Sequence, residues 1–180
     1  MNFKQFFPIP VIIAVLAFTM MLLDLFFRNV VDITFMQTWI AFQAWAMYFM
    51  AGCTVKNGVK VMLGYAGGIA ASIAIMELGM GPFAGLGDLA FPVAVLLVVV
   101  PVICAERIPM LNFVPAWFVG AGVFFAIKTL PGTNAPGHVD AAVMEIASCL
   151  WGLVYGWVTV LLRGKYEAML KTGGGGQPAE

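Results

Sequence analysis

Phe91-Pro-Val-Ala-Val-Leu-Leu-Val-Val-Val-Pro-Val-Ile-Cys104 carries no charged side chain and no alternation of apolar with polar residues. A strand of a membrane barrel alternates, because it faces lipid on one side and lumen on the other. Residues 93–100 are apolar throughout, so the stretch reads as a helix surrounded by apolar material. A bilayer-spanning helix needs about 20 mainly apolar residues. Outward from this stretch, five more segments reach or approach that length. The six are residues 8–27, 36–53, 59–78, 88–104, 113–128 and 141–162. The second, fourth and fifth are short, which predicts steep crossing or irregular backbone at their ends. The expected fold is all-α: a polytopic membrane protein with six transmembrane helices. It forms one domain over residues 1–171, followed by a flexible, Gly-rich cytoplasmic tail over 172–180.

Composition supports the same class. Only 10% of the 180 residues are charged and 62% are apolar, whereas a soluble domain carries about 25% charged residues. Such a chain lacks the polar side chains to cover a core in water. Its net charge is zero, which argues against nucleic acid as a partner; the partner it requires is the lipid bilayer. The three cysteines, Cys53, Cys104 and Cys149, show no metal-ligand spacing and read as small packing residues. No metal or cofactor is expected. Lys4 followed by an apolar run mimics a signal peptide, but no small-residue cleavage site follows it. The run reads as the first spanning helix.

Charge sets the orientation. With six helices both termini share a side, and that side carries seven basic residues: Lys4, Lys56, Lys60, Arg107, Arg163, Lys165 and Lys171. The other side carries two, Arg28 and Lys128. Lysine and arginine stay cytoplasmic, so both termini are expected in the cytoplasm, as in a multi-pass protein of a bacterial inner membrane. Six acids lie on the outer side: Asp24, Asp32, Glu77, Asp88, Asp140 and Glu145. An acidic vestibule that attracts cations is one account. Polar helix ends combined with the inside preference of basic residues is the other.

The chain repeats after three helices. Phe7-Pro8-Ile9 corresponds to Phe91-Pro92-Val93, Ala41-Phe42 to Ala116-Trp117, and Gly64 with Gly68 to Gly152 with Gly156. The offsets are 84 for Pro8 and Pro92, 75 for Ala41 and Ala116, and 88 for Gly64 and Gly152. Loops would absorb the differences. Because three is odd, the halves, about 1–85 and 86–171, would have opposite orientations. This 3+3 inverted-topology repeat places a solute path at the repeat interface in many transporters.

Individual residues carry alternatives. Gly64, Gly68, Gly152 and Gly156 form two GxxxG patterns, whose flat stripes let a second helix approach backbone to backbone. Glu145 is the deepest carboxylate. It is either a solute- or proton-contacting group or a headgroup-level acid met by water; for Glu77 and Asp24 the second account is the simpler. Gln43 shares a helix face with Trp39 and Phe42. It would bond a small polar solute or a neighbouring helix, and Tyr48 lies on the same polar, aromatic helix. His138, the only histidine, reads as a solvent-exposed loop residue.

Two quoted stretches also carry a resemblance. One is Trp39–Phe42, then Tyr48-Phe49-Met-Ala-Gly52 and a Gly-led third helix. The other is Phe113-Val-Pro115, Phe118-Val-Gly120-Ala121, Phe125-Ala126 and Gly152-Leu-Val-Tyr-Gly156. Together they resemble the domain-of-unknown-function family of small bacterial inner-membrane proteins that includes YcdZ. The resemblance implies a six-helix body and an inner-membrane location, and brings no substrate and no site residues. The chain departs from the family in a longer N-terminal region, a longer outer loop around His138 and its Gly-rich tail.

The expected function is a channel or facilitator for a small solute, with Gln43, Tyr48 and the glycine stripes along the path and Glu145 at its mouth. A proton-coupled transporter using Glu145 or Glu77 is a second possibility. A non-transporting accessory or assembly protein, docked through residues 163–171, is a third. An enzyme is not expected, since neither HExxH nor CxxC occurs. A ring-like homo-oligomer fits a body of this size.

Overall fold

The structure, a computed structural model, describes residues 2–30, 37–130 and 137–173. Asp32, most of the long outer loop and residues 174–180 of the Gly-rich tail lie outside the described residues. Helix ends follow local chemistry. Before α1 (Phe3–Phe6), Asn2 Oδ1 accepts from Gln5 N and Asn2 N donates to Gln5 Oε1, both at 3.0 Å, a reciprocal capping box. α2 (Pro8–Val30) opens on a proline, whose missing N–H costs nothing in a first turn.

α3 (Thr38–Met50) ends in a tight turn where Gly52 and Cys53 take φ of +98° and +60°. Asn57 Nδ2 closes the turn on the Ala51 carbonyl at 2.6 Å, and Thr54 Oγ1 caps the next helix by accepting from Asn57 N at 3.1 Å. That cap starts α4 (Val55–Met80) one turn before the apolar run expected from residue 59. Lys56 and Asn57 therefore lie in its first turn. A 3₁₀ run at Ala84–Leu89 leads into α5 (Ala90–Cys104), and a second at Ala105–Arg107 precedes α6 (Val114–Thr129). α7 (His138–Gly173) is continuous and about 54 Å long at 1.5 Å per residue.

All the described elements are helical. Four stretches are long and apolar enough to cross a membrane: Phe3–Asn29, Val55–Met80, Ala84–Arg107 and His138–Thr172. α3 and α6, with 13 and 16 residues, reach roughly 20 and 24 Å, against a hydrocarbon core of about 30 Å. The two short helices lie on the two long central ones, α6 mainly on α4 and α3 mainly on α7. α4 also meets α7, while α5 lies outside on α4 and α2 outside on α7. Phe18 and Leu25 of α2, and Leu96 and Val100 of α5, remain exposed. A continuous apolar exterior of this kind calls for lipid.

Glycine sets the spacing inside. A Cβ at Gly64 would meet the Ala116 Cβ at 2.5 Å, and one at Gly68 would run into the Trp117 carbonyl on the same helix, α6. On the other pair, a Cβ at Gly152 would strike the Ala41 carbonyl, and one at Gly156 would meet the Tyr48 ring at 2.9 Å. In both pairs the backbones are too close for any side chain between them.

Candidate functional site in the bundle core

α7 turns a stripe of small and polar side chains inward: Ala141, Glu145, Ser148, Cys149, Gly152 and Thr159, at helical spacing. Glu145 is 0% exposed, and neither of its oxygens has a hydrogen-bond partner. Cys149, one turn further along α7, and Tyr65 of α4 both lie within electrostatic reach of its carboxyl. Tyr65 is also 0% exposed and its hydroxyl is unpartnered. Gly120 of α6 lies on its backbone, where a Cβ would stand 2.7 Å from the Tyr65 Cα. The phenol thus comes from a helix held between α6 and α7.

Several buried hydroxyls nearby are satisfied. Gln37 N, at the start of α3, donates to Ser148 Oγ at 2.8 Å, and Ser148 Oγ donates to the Met144 carbonyl at 2.7 Å. Thr159 Oγ1 donates to the Tyr155 carbonyl at 2.7 Å, and Ser72 Oγ of α4 donates to the Ala121 carbonyl of α6 at 3.2 Å. Thr38 Oγ1, Trp45 Nε1, His138 Nδ1 and the hydroxyls of Tyr48 and Tyr65 are buried without a partner, and among the described residues with such atoms Glu145 alone is a carboxyl. A buried polar group without a bond is costly, and a charged one far more so. The carboxyl and phenol can accept or donate hydrogen bonds to a small polar visitor, and the carboxyl can hold a proton. Among the described residues, no group of three or more His, Cys, Asp or Glu could hold a metal ion.

The residues expected along a solute path are not gathered in one place. Glu145 and Tyr48 are buried, but Tyr48 lies towards the far end of α3, its ring between Gly58 of α4 and Gly156 of α7. Gln43 is exposed, on a groove between α3 and α6. Glu77 is exposed at the end of α4 and accepts from His138 Nε2 at 3.0 Å. His138 corrects its expected place in a solvent-exposed loop: it is the first residue of α7, packs on Phe124 with ring centroids 6.0 Å apart, and is only partly exposed. Asp24 is nearly buried and pairs with Arg28 at 2.9 Å, one helical turn on.

Sequence reasoning missed Tyr65 and the placement of Cys149 beside Glu145. Tyr65 stands inside the Gly64–Gly68 pattern, where a phenol among glycines and alanines was the available clue. Cys149 follows Glu145 by four residues, which places both on one helix face.

Fold and core together define a helical, membrane-embedded protein with a buried, unpartnered acid between its central helices. The chain matches the family described as protein of unknown function (DUF1097) over residues 10–164, and it belongs to that family. No curated protein and no solved structure matches it.

Proposed function

We propose that the protein is a channel or facilitator for a small polar solute, built from six transmembrane helices as a 3+3 inverted repeat in a bacterial inner membrane. The observation that carries this proposal is Glu145, buried and unbonded where α7 of the second half meets α4 of the first. An ionisable group inside a membrane protein is rare unless it serves a path or a relay. Tyr65 beside it supplies a second polar group from the opposite half.

The repeat is supported by two crossed pairs of contacts. Ala41 corresponds to Ala116 at an offset of 75, and Gly64 to Gly152 at an offset of 88. Gly152 packs on Ala41, and Gly64 packs on Ala116. The same offsets relate Gln37 to Asn112 and Lys60 to Ser148. Gln37 N donates to Ser148 Oγ, and Lys60 Nζ donates to Asn112 Oδ1 at 2.9 Å. Each short helix is thus fastened at its start to the long helix of the other half. In inverted-repeat transporters the solute meets the protein between the halves, where Glu145 and Tyr65 lie.

The unbonded carboxyl favours one alternative, a proton-coupled transporter in which Glu145 carries the proton. Proteoliposome flux separates the two. Light scattering is followed for small neutral solutes, weak acids and amines at two pH values, with and without a proton gradient. A facilitator accelerates one solute class without a gradient and loses that flux in Glu145→Leu. Flux that appears only with a gradient transfers the function to the coupled transporter. Rates equal to empty liposomes, from folded protein, overturn both and leave an accessory role at the cytoplasmic end of α7.

A further inference from the structure

The carboxamide of Gln43 has no place in the core. It sits on a groove of about 360 Å³ between α3 and α6, lined by Trp39, Gln43, Met47, Val119, Gly122 and Val123. Among the described residues it makes no hydrogen bond with another side chain or the backbone. Its depth is set by its neighbours. Ala41, two residues before Gln43, lies on Gly152, which falls near the middle of the stretch of α7 between His138 and Arg163. Gln43 therefore faces outward at mid-membrane.

An amide facing hydrocarbon leaves its donors and its acceptor without partners, which is unfavourable. The remedy must be a group of matching chemistry at the same depth. Lipid headgroups are too far away, and acyl chains offer no hydrogen bond. A primary amide carries both donors and an acceptor, so the side chain complementary to Gln43 is another Gln43. The surface around it is shaped for close approach. Gly122 has open space where a side chain would stand, and Phe42 and Phe118, each next in sequence to a lining residue, are both exposed. Small residues that admit a neighbouring backbone, with an interhelical amide bond, are the usual elements of helix association in lipid.

We propose that the α3–α6 face is a two-fold interface with a second copy of this chain, in which Gln43 pairs with Gln43 of the partner subunit. A two-fold contact is self-complementary, so each residue near the axis meets its own counterpart. The interface lies on the opposite side of α3 from Gly152, and it does not depend on whether the core conducts a solute.

The test uses the full chain in lipid bilayers, with association measured across a range of lipid dilution. Ala46 follows Gln43 by three residues on the exposed side of α3. Ala46→Cys, in a background with the three native cysteines replaced by alanine, should form a disulfide between copies on mild oxidation. The wild type should be dimeric. Gln43→Leu should weaken association at least tenfold, while Gln43→Asn, which keeps the amide, should retain most of it. Gly122→Leu fills open space, so the protomer should fold normally and fail to pair. A monomeric wild type, unchanged dimerisation of Gln43→Leu, or absence of the Ala46→Cys cross-link in a dimeric protein would each overturn the proposal.

Discussion

Gly152 lies so close to Ala41 that a methyl group in place of its hydrogen would collide with the Ala41 carbonyl. α3 is 13 residues long, about 20 Å, too short to span a hydrocarbon core of about 30 Å by itself. It keeps its place because its backbone is pressed onto α7. The Gln37 to Ser148 hydrogen bond fastens its first turn, and the Tyr48 ring against Gly156 fastens its last.

That contact makes glycine positions separable by experiment. Gly152→Ala should destabilise the protein by about 1–3 kcal/mol, the usual effect of overpacking. Gly164 has nothing within 4 Å of where its Cβ would stand, so Gly164→Ala should stabilise α7 by roughly 0.5–1 kcal/mol. Thermal unfolding in detergent measures both. Equal effects at the two positions would contradict the close approach of α3 and α7.

Glu145 should cost stability where it contributes function. Neither carboxyl oxygen is bonded, and an unsatisfied buried polar group costs about 1–3 kcal/mol. Glu145→Leu removes that cost at similar volume and should raise the unfolding temperature while abolishing solute flux. A destabilised Glu145→Leu would mean that the carboxyl has a bonding partner in the membrane.

Two ties at matching places should differ in weight. Ser148 is buried and accepts from the Gln37 N–H that begins α3, so Ser148→Ala leaves that donor unsatisfied and should cost about 1–3 kcal/mol. The Lys60 to Asn112 bond is at the surface, and Lys60→Met should change stability by less than about 1 kcal/mol, as exposed polar contacts do. Chemical unfolding of the two variants side by side checks the ranking.

Thiol labelling reports burial and orientation together. Cys149 is buried, Cys53 partly exposed and Cys104 exposed. A membrane-permeant maleimide should modify Cys104 and leave Cys149 untouched until the protein is unfolded. An impermeant maleimide should reach Cys104 only from the cytoplasmic face. Labelling of Cys104 from outside would reverse the orientation derived from the basic residues.

Much of the architecture was legible because lipid imposes a simple rule. Every backbone polar group must be satisfied within the segment, so a long uncharged run such as residues 91–104 leaves little choice but helix. The described helices overlap all six expected segments, and most of their boundaries fall within a turn of those expected. α4 begins earlier because its start is governed by the Thr54 cap, a local hydrogen bond that an apolarity pattern does not register. α7 runs on past the apolar stretch because Arg163 and Glu167, four residues apart and paired at 2.7 Å, suit an exposed helix.

The site was legible only in part. Glu145 was apparent because a carboxylate among apolar residues is conspicuous in any sequence. Tyr65, eighty residues away, was not, since nothing along the chain says which tyrosine will face it. Gln43 and Glu145 looked alike as isolated polar groups at depth, and the structure places them on opposite terms: one exposed in a groove, the other closed in the core.

What the sequence by itself determined is the helical, membrane-embedded class and the approximate span of each helix, because these depend on the transfer of each residue from water to lipid. The tertiary structure alone decided which polar groups are enclosed and which face outward. In lipid both faces of a helix are apolar, so hydrophobic periodicity cannot say which is inward. Only the fit of one helix on another, here glycine against alanine, settles that choice.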